Sequence, residues 1–576
     1  MAPYEEFRAR FELQPLLSAE KVGKVRYSAM SSETESPTVG DLAASRHQMG
    51  LWSCMSYVIA NIIGAGIFIT PGTILQYTYS NGLALLVWVG CGLISLIGGI
   101  CYIELGTSIH DPGCDFAYNV YVGWEGIAFS FMWVGVIMSF PASAAVQAQT
   151  FGQYIVAGLS PMWHLDSPWD EIFERGLGFA LIIILTVLNL YAIDKYASKF
   201  QIMVTIAKLL SLAVIIVTGF YFLIVKGETQ NLEQPFKGSN TNPGQISLAF
   251  YGALWSFAGW DILNYGTPEI HRPRRTMPIA LLGGVTIVTV IYVAMNVSYM
   301  TVLTPGEIQN STAVAADFAQ KTLGKFSYAI PFMIAILLIG TLNSNIFCGS
   351  RFTHAAAREG HLPTFLSCIN EDSNSPRAAL LFQLICTIVV TFVDTNSLIN
   401  YVAFVMFAQR VFTMTALMWI RYRKIPVHPD AIRVPIVFSM LFWIITIALV
   451  VVPFIEETTH TIVGVALVIM GLILYCIFMK PKKLPDCLMR FNDGMTRITC
   501  RLLYSTPDLK HQHLDTSSSD SSAAASLKPD GERVVLRGET VSSRFNNESI
   551  LNADERTVLP TGGTSTTITS SETSHL

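Results

Sequence analysis

The sequence predicts an all-α polytopic membrane protein, and three observations carry that reading. Charged residues make up only 14% of the 576 positions and apolar ones 51%, with a mean hydropathy of +0.46. A soluble domain carries about 25% charged residues. Hydrophobic runs of roughly 20 residues, long enough to cross hydrocarbon as a helix, recur along most of the chain. Two of these runs are interrupted by small residues: Asn61-Ile62-Ile63-Gly64-Ala65-Gly66-Ile67-Phe68 in the first, and Ser256-Phe257-Ala258-Gly259-Trp260-Asp261 in the sixth.

Taken in order, about twelve transmembrane helices are expected. They begin near Leu51, Gly82, Glu125, Gly176, Phe200, Gln245, Met277, Phe326, Arg377, Leu398, Val434 and Thr461. Basic residues in the connections set their direction. The even-to-odd connections hold Lys195, Lys199, Arg272, Arg274, Arg275, Arg351, Arg358, Arg377, Arg421, Arg423, Lys424 and Arg433, against Arg175, Lys226, Lys237, Lys321 and Lys325 in the others. That imbalance places both termini in the cytoplasm. Residues 1–48 then form a cytoplasmic N-terminal tail, 49–480 the transmembrane domain, and 481–576 a cytoplasmic C-terminal tail. No cleavable signal peptide is visible in the polar first segment, and the first span is expected to direct insertion. Asn310-Ser311-Thr312 lies in an outward connection and is a candidate glycosylation site at Asn310.

Each interruption has a physical cost. Glycine weakens a helix interior, and backbone groups unpaired in lipid must find partners in protein or in a ligand. Broken helices at matching positions of two halves mark an inverted-repeat transporter with its site near the membrane midplane. The amide N–H groups of Ala65 and Gly66, at a half-helix start, suit a carboxylate. The carbonyls around Ile62 and at Trp255 and Ala258 suit an ammonium. The plainer alternative is close helix packing through small residues.

Five motifs, in order over residues 49–480, resemble the light-chain branch of the L-type amino acid transporters, in the amino acid–polyamine–organocation superfamily. They are Gly64-Ala65-Gly66-Ile67-Phe68; Cys101-Tyr102-Ile103-Glu104-Leu105-Gly106; Gly259-Trp260 with Leu263-Asn264-Tyr265; Arg358-Glu359-Gly360-His361-Leu362-Pro363; and Met418-Trp419-Ile420-Arg421. The resemblance implies a 5+5 inverted repeat with helices 1 and 6 broken and two further helices. It also implies an amino acid substrate held by Ile62, Ile63, Gly64, Ala65, Gly66, Trp255, Phe257, Ala258, Gly259, Trp260 and Asp261. Heavy-chain-dependent members carry a cysteine between spans three and four. Residues 159–169 have none, so no disulfide-linked heavy chain is expected.

Substrate choice turns on the second break. Ala258 stands where members taking cationic substrates place an aspartate, which favours a neutral side chain. Asp261 points the other way, towards the branch that exchanges cationic for neutral amino acids, unless it serves as an N-cap for the second half of span six. Trp255 occupies an aromatic gate position or a structural one, and Met406 faces the pocket or fills core. Lys208 lies mid-span and resembles a family lysine expected to tether the span-one break to span eight near Asn343 and Ser344, rather than to snorkel. Glu104 is expected to pack and hydrogen-bond at the inner end of span two.

The reading that follows is a plasma-membrane transporter of neutral L-amino acids, working by alternating access as an exchanger. The alternatives are a cationic/neutral exchanger and, from another class, a membrane channel. No catalytic residue, metal site or cofactor is indicated: the ten cysteines lack metal-ligand spacing. Nothing suggests a nucleic-acid partner. After Lys480 the chain is first basic, then Ser/Thr-rich and expected to be mostly disordered. Its end, Thr573-Ser574-His575-Leu576, fits a class I PDZ-domain ligand, with Ser574 and Leu576 as the recognised residues of a scaffold partner.

Overall fold

The computed structural model describes residues 49–111, 113–159, 169–191, 194–267, 270–370, 375–429, 431–456, 458–481 and 485–509. The N-terminal tail 1–48, residues 160–168 and the PDZ-ligand residues Ser574 and Leu576 lie outside them.

The first hydrophobic run is two helices, α1 (Leu51–Ile62) and α2 (Gly66–Thr78), bent by 49° at residues 63–65. Ile63 leaves the helical region at φ −70° and ψ 90°. α3 (Asn81–Ser108) opens on Ser80, whose side chain accepts from the Leu83 amide at 3.3 Å. A short α4 (Asp115–Tyr121) leads into α5 (Glu125–Val134), a π turn (Gly135–Ser139) and α6 (Phe140–Leu159). Pro141 has no N–H for the preceding turn, which accounts for the widened winding just before it. α7 (Trp169–Leu190), α8 (Asp194–Ile224) and α9 (Pro243–Ser256) follow.

α10 (Pro273–Val302) is joined by two short helices, α11 (Pro305–Asn310) and α12 (Val314–Thr322), to α13 (Ala329–Arg358). Then come α14 (Arg377–Val390), α15 (Thr395–Arg423), α16 (Ile436–Glu456), α17 (Thr458–Leu474) and α18 (Asp486–Leu503). Eight described helices are long and apolar enough to cross a bilayer, nine spans when α1 and α2 are taken as one. α7, α9 and α14 stand at the other expected positions and do not pass that test. α9 and α14 have only 14 residues each, about 21 Å against a hydrocarbon core of about 30 Å. α7 starts with Asp170, Glu171, Glu174 and Arg175.

Two motifs far apart in sequence meet at one end of the bundle. Arg421 on α15 donates through Nε to Glu104 on α3 at 2.8 Å and through Nη2 to its other oxygen, while the Val434 amide reaches the same carboxylate at 3.1 Å. Glu104 therefore does the packing and hydrogen-bonding work expected of it, fastening α3, α15 and the start of α16. The basic segment after the last span has structure that its composition did not specify. It is the helix α18, followed by a strand, β2 (Thr506–Pro507), that pairs antiparallel with β1 (Cys368–Ile369) in the α13–α14 connection.

Candidate functional site

Both breaks meet at the centre of the bundle, and the side chains that join them were not all visible in the sequence. α9 packs along α2 so closely that a Cβ on Gly66 would lie 2.6 Å from the Ser256 Cα. Thr70 Oγ1 and Ser256 Oγ are 2.8 Å apart at this crossing. Tyr292 of α10 spans the two breaks, its hydroxyl 3.0 Å from the Ile62 carbonyl and 3.0 Å from that of Ser256. Asn61 donates to the Gly259 carbonyl at 2.9 Å. Gly259 sits at φ +96°, a conformation that a side chain rarely tolerates, and a Cβ there would meet the Asn61 amide at 2.3 Å.

The first break keeps some of the features expected of it. Gly66 and Ile67 open α2, so their amides lack acceptors within that helix. Gly64 is open on its Cβ side, with only the Ile62 carbonyl at 3.9 Å. Gly66 faces span six, whereas Gly64 is part-exposed. Ile62, Ile63 and Ala65 are buried.

The second break differs from a helix–gap–helix. After Ser256 the chain makes turns, among them a 3₁₀ turn (Ile262–Tyr265). The sequence explains this: Gly266 and Pro268 follow closely and disfavour helix, and Pro273 opens the next one. Among the expected substrate residues here, Ala258 and Gly259 are part-exposed, and the Ala258 amide closes a turn on the Trp255 carbonyl at 3.1 Å. Trp255 packs against the cluster formed by Ala142, Ala145 and Leu398. Phe257 and Trp260 have buried rings: Phe257 lies 5.0 Å from Tyr292 and Trp260 5.0 Å from Tyr102. Half-buried Met406 lies against the main core.

Asp261 does not take the N-cap role. It precedes the 3₁₀ turn but makes no side-chain cap. Its carboxylate faces the Arg410 guanidinium of α15 at 3.8 Å. An arginine within reach in a water-poor interior competes better for that charge than a neutral amide does. Arg410 is 4% exposed and lies over the rings of Trp260 and Phe407, 4.7 and 5.5 Å from their centroids. Among the described residues its Nε has no hydrogen-bond partner.

Asp115 on α4 completes the group and accepts from Tyr102 Oη. Burial first, then the Asp261 charge, pushes its carboxyl up to about 6. Cys114, Asp115 and Asp261 bring possible ligand atoms within 4.8 Å of one another, but the chain supplies the cation itself, as Arg410. The signal for Arg410 in the sequence is its charge inside an apolar span, as for Lys208.

Lys208 is 7% exposed, and its Nζ donates to the Ala60 carbonyl at 3.1 Å, in the last turn of α1. It thus holds span five to the first break. The span-eight side of the expected tether is occupied differently: Asn343 accepts from Asn189 of α7 at 2.7 Å, and Ser344 bonds its own helix at Gly340. At the other end of α2, a cavity of about 390 Å³ is lined by polar groups that include Thr73, Gln149, Glu174, Ser311 and Asn396. Asn310 is exposed at its edge and donates to the Gly306 carbonyl at 2.9 Å.

Residues 49–478 match the amino acid permease family. The chain is 46% identical over 444 residues to amino acid transporter protein 6 of Caenorhabditis elegans, covering 77% of this chain and 84% of that protein. It is 34% identical over 461 residues to the human b(0,+)-type amino acid transporter 1, covering 80% and 93%. To the human cystine/glutamate transporter it is 32% identical over 487 residues, covering 84% and 96%.

Proposed function

We propose, for a chain that belongs to the amino acid permease family and moves amino acids rather than catalysing a reaction, a plasma-membrane exchanger of neutral L-amino acids. One observation carries the neutral reading: the Asp261–Arg410 pairing at 3.8 Å. Asp261 is the carboxylate that a cationic substrate would need, and an internal guanidinium already compensates it. A lysine or arginine substrate would bring an unpaired charge into the interior, at a cost of several kcal/mol.

The substrate carboxylate meets the first amides of α2 beside Gly64, where the helix dipole and free N–H groups favour an anion. Its ammonium takes the second lone pairs of carbonyls around Ile62 and Ala258. Tyr292 and Asn61 keep both breaks in register, and Lys208 anchors α1 from span five. The 390 Å³ cavity beside α2 is the outer approach, with both termini on the opposite, cytoplasmic side. A glycan on Asn310 belongs to the same outer face.

Purified protein, expressed without any partner and reconstituted into liposomes, should take up labelled neutral amino acids saturably and lysine or arginine far more weakly. Equal uptake of both classes would remove the neutral assignment. Transport that appears only with a coexpressed glycoprotein would contradict independence from a heavy chain. Ohmic current of inorganic ions would favour a channel.

A PDZ scaffold at Ser574 and Leu576 is a separate part of the reading, supported by the terminal sequence alone. It would position the transporter without altering its chemistry. The native tail should capture PDZ proteins, while a Leu576→Ala tail and a tail extended by one glycine should not. Equal capture by all three would sink this assignment.

A further inference from the structure

α18 carries three different faces, of which one is docked on other described residues. Asn492 exchanges two hydrogen bonds of 3.0 Å with Thr364, and Cys500 Sγ lies 3.8 Å from Cys368 Sγ, so this face is docked on the α13–α14 connection. Phe491, Ile498 and Leu502 fall seven and four residues apart, a single row on a helix. They are 63%, 51% and 72% exposed. Arg490, Arg497 and Arg501 repeat the same spacing one residue earlier and form an exposed row directly beside the apolar one.

A row of three exposed large apolar side chains costs free energy in water, by about 25 cal/mol for each Å² left uncovered. The position of the helix identifies the cover. The last span ends in a π turn at Met479 and α18 begins at Asp486. The connecting residues reach roughly 20 Å at full extension, so α18 stays within reach of the bilayer surface. Those residues include Lys480, Lys482 and Lys483, which add to the positive charge. An apolar row flanked by a basic one, on a helix held at that depth, matches the acyl boundary and the headgroup phosphates of an acidic leaflet.

We infer that α18 is a binding element for anionic phospholipid. The Phe491 row enters the interface, the Arg490 row meets the phosphates, and the opposite face holds the α13–α14 connection. Membrane charge is thereby linked to the segment following α13, a span whose partner α8 carries Lys208.

Hydrogen exchange of the full-length protein in nanodiscs tests this, since a disc presents both membrane faces and the result is independent of sidedness. In discs of phosphatidylcholine with phosphatidylserine, amides of residues 486–503 should exchange severalfold more slowly than in phosphatidylcholine alone. High salt should shrink the difference. The Arg490→Gln/Arg497→Gln/Arg501→Gln variant should lose it while its spans exchange as in the wild type. Equal exchange of the wild type in both discs would overturn the inference, as would a lipid difference that survives in the triple variant. A variant ending at residue 509 should keep the lipid difference. If its α18 amides instead become equally fast in both discs, the tail is the cover and the inference falls.

Discussion

Gly66→Val is expected to abolish uptake and to take most of the folded protein with it. A Cβ at this position would lie 2.6 Å from the Ser256 Cα and 2.7 Å from its Oγ. The obstacle is backbone of span six, which cannot swing aside as a flexible side chain can. Overpacking of this kind costs about 1–3 kcal/mol or more, and valine adds two further carbons with a restricted rotamer. The loss arises from forcing the two broken spans apart, so uptake and melting temperature should fall together.

Gly64→Ala separates packing from substrate approach. Its Cβ would meet nothing nearer than the Ile62 carbonyl at 3.9 Å. This variant should melt like the wild type while its KM rises, because the methyl group intrudes on the open side of the backbone. A normal KM in folded Gly64→Ala would take the substrate away from the first break.

Arg410→Leu should lower neutral amino acid uptake by about tenfold or more and reduce stability by about 3–5 kcal/mol. Removing the guanidinium leaves the Asp261 carboxylate buried without its cation. Whatever protein folds should shift its preference towards lysine and arginine, since a substrate cation can now take the vacant role. The double variant Arg410→Leu/Asp261→Asn removes both charges. It should recover most of the melting temperature and lose the shift towards cationic substrates. Unchanged selectivity and stability in Arg410→Leu would mean that the pair governs neither.

Much of the architecture was legible because its causes are local. Glycines in lipid-length runs mark backbone interruption, so the breaks at residues 63–65 and after Ser256 were readable from chain chemistry alone. Lys208 was readable because a mid-span ammonium must find an acceptor, and it bonds Ala60. What escaped was long-range pairing. Nothing local says that Glu104 meets Arg421, or that Arg410 on span ten takes Asp261 away from a capping role. Tyr292 is one aromatic among several in an apolar helix, and only the packing of α10 sets it between the two breaks. For α18 the information lies in the spacing of Arg490, Arg497 and Arg501 and not in the number of charges.

Efflux from preloaded proteoliposomes tests most directly whether this chain carries an amino acid between two exclusive openings. Vesicles holding a labelled neutral amino acid should release it slowly into buffer and much faster when unlabelled substrate is present outside. External lysine or arginine should accelerate release far less. Efflux that external neutral substrate never accelerates would contradict the exchanger account.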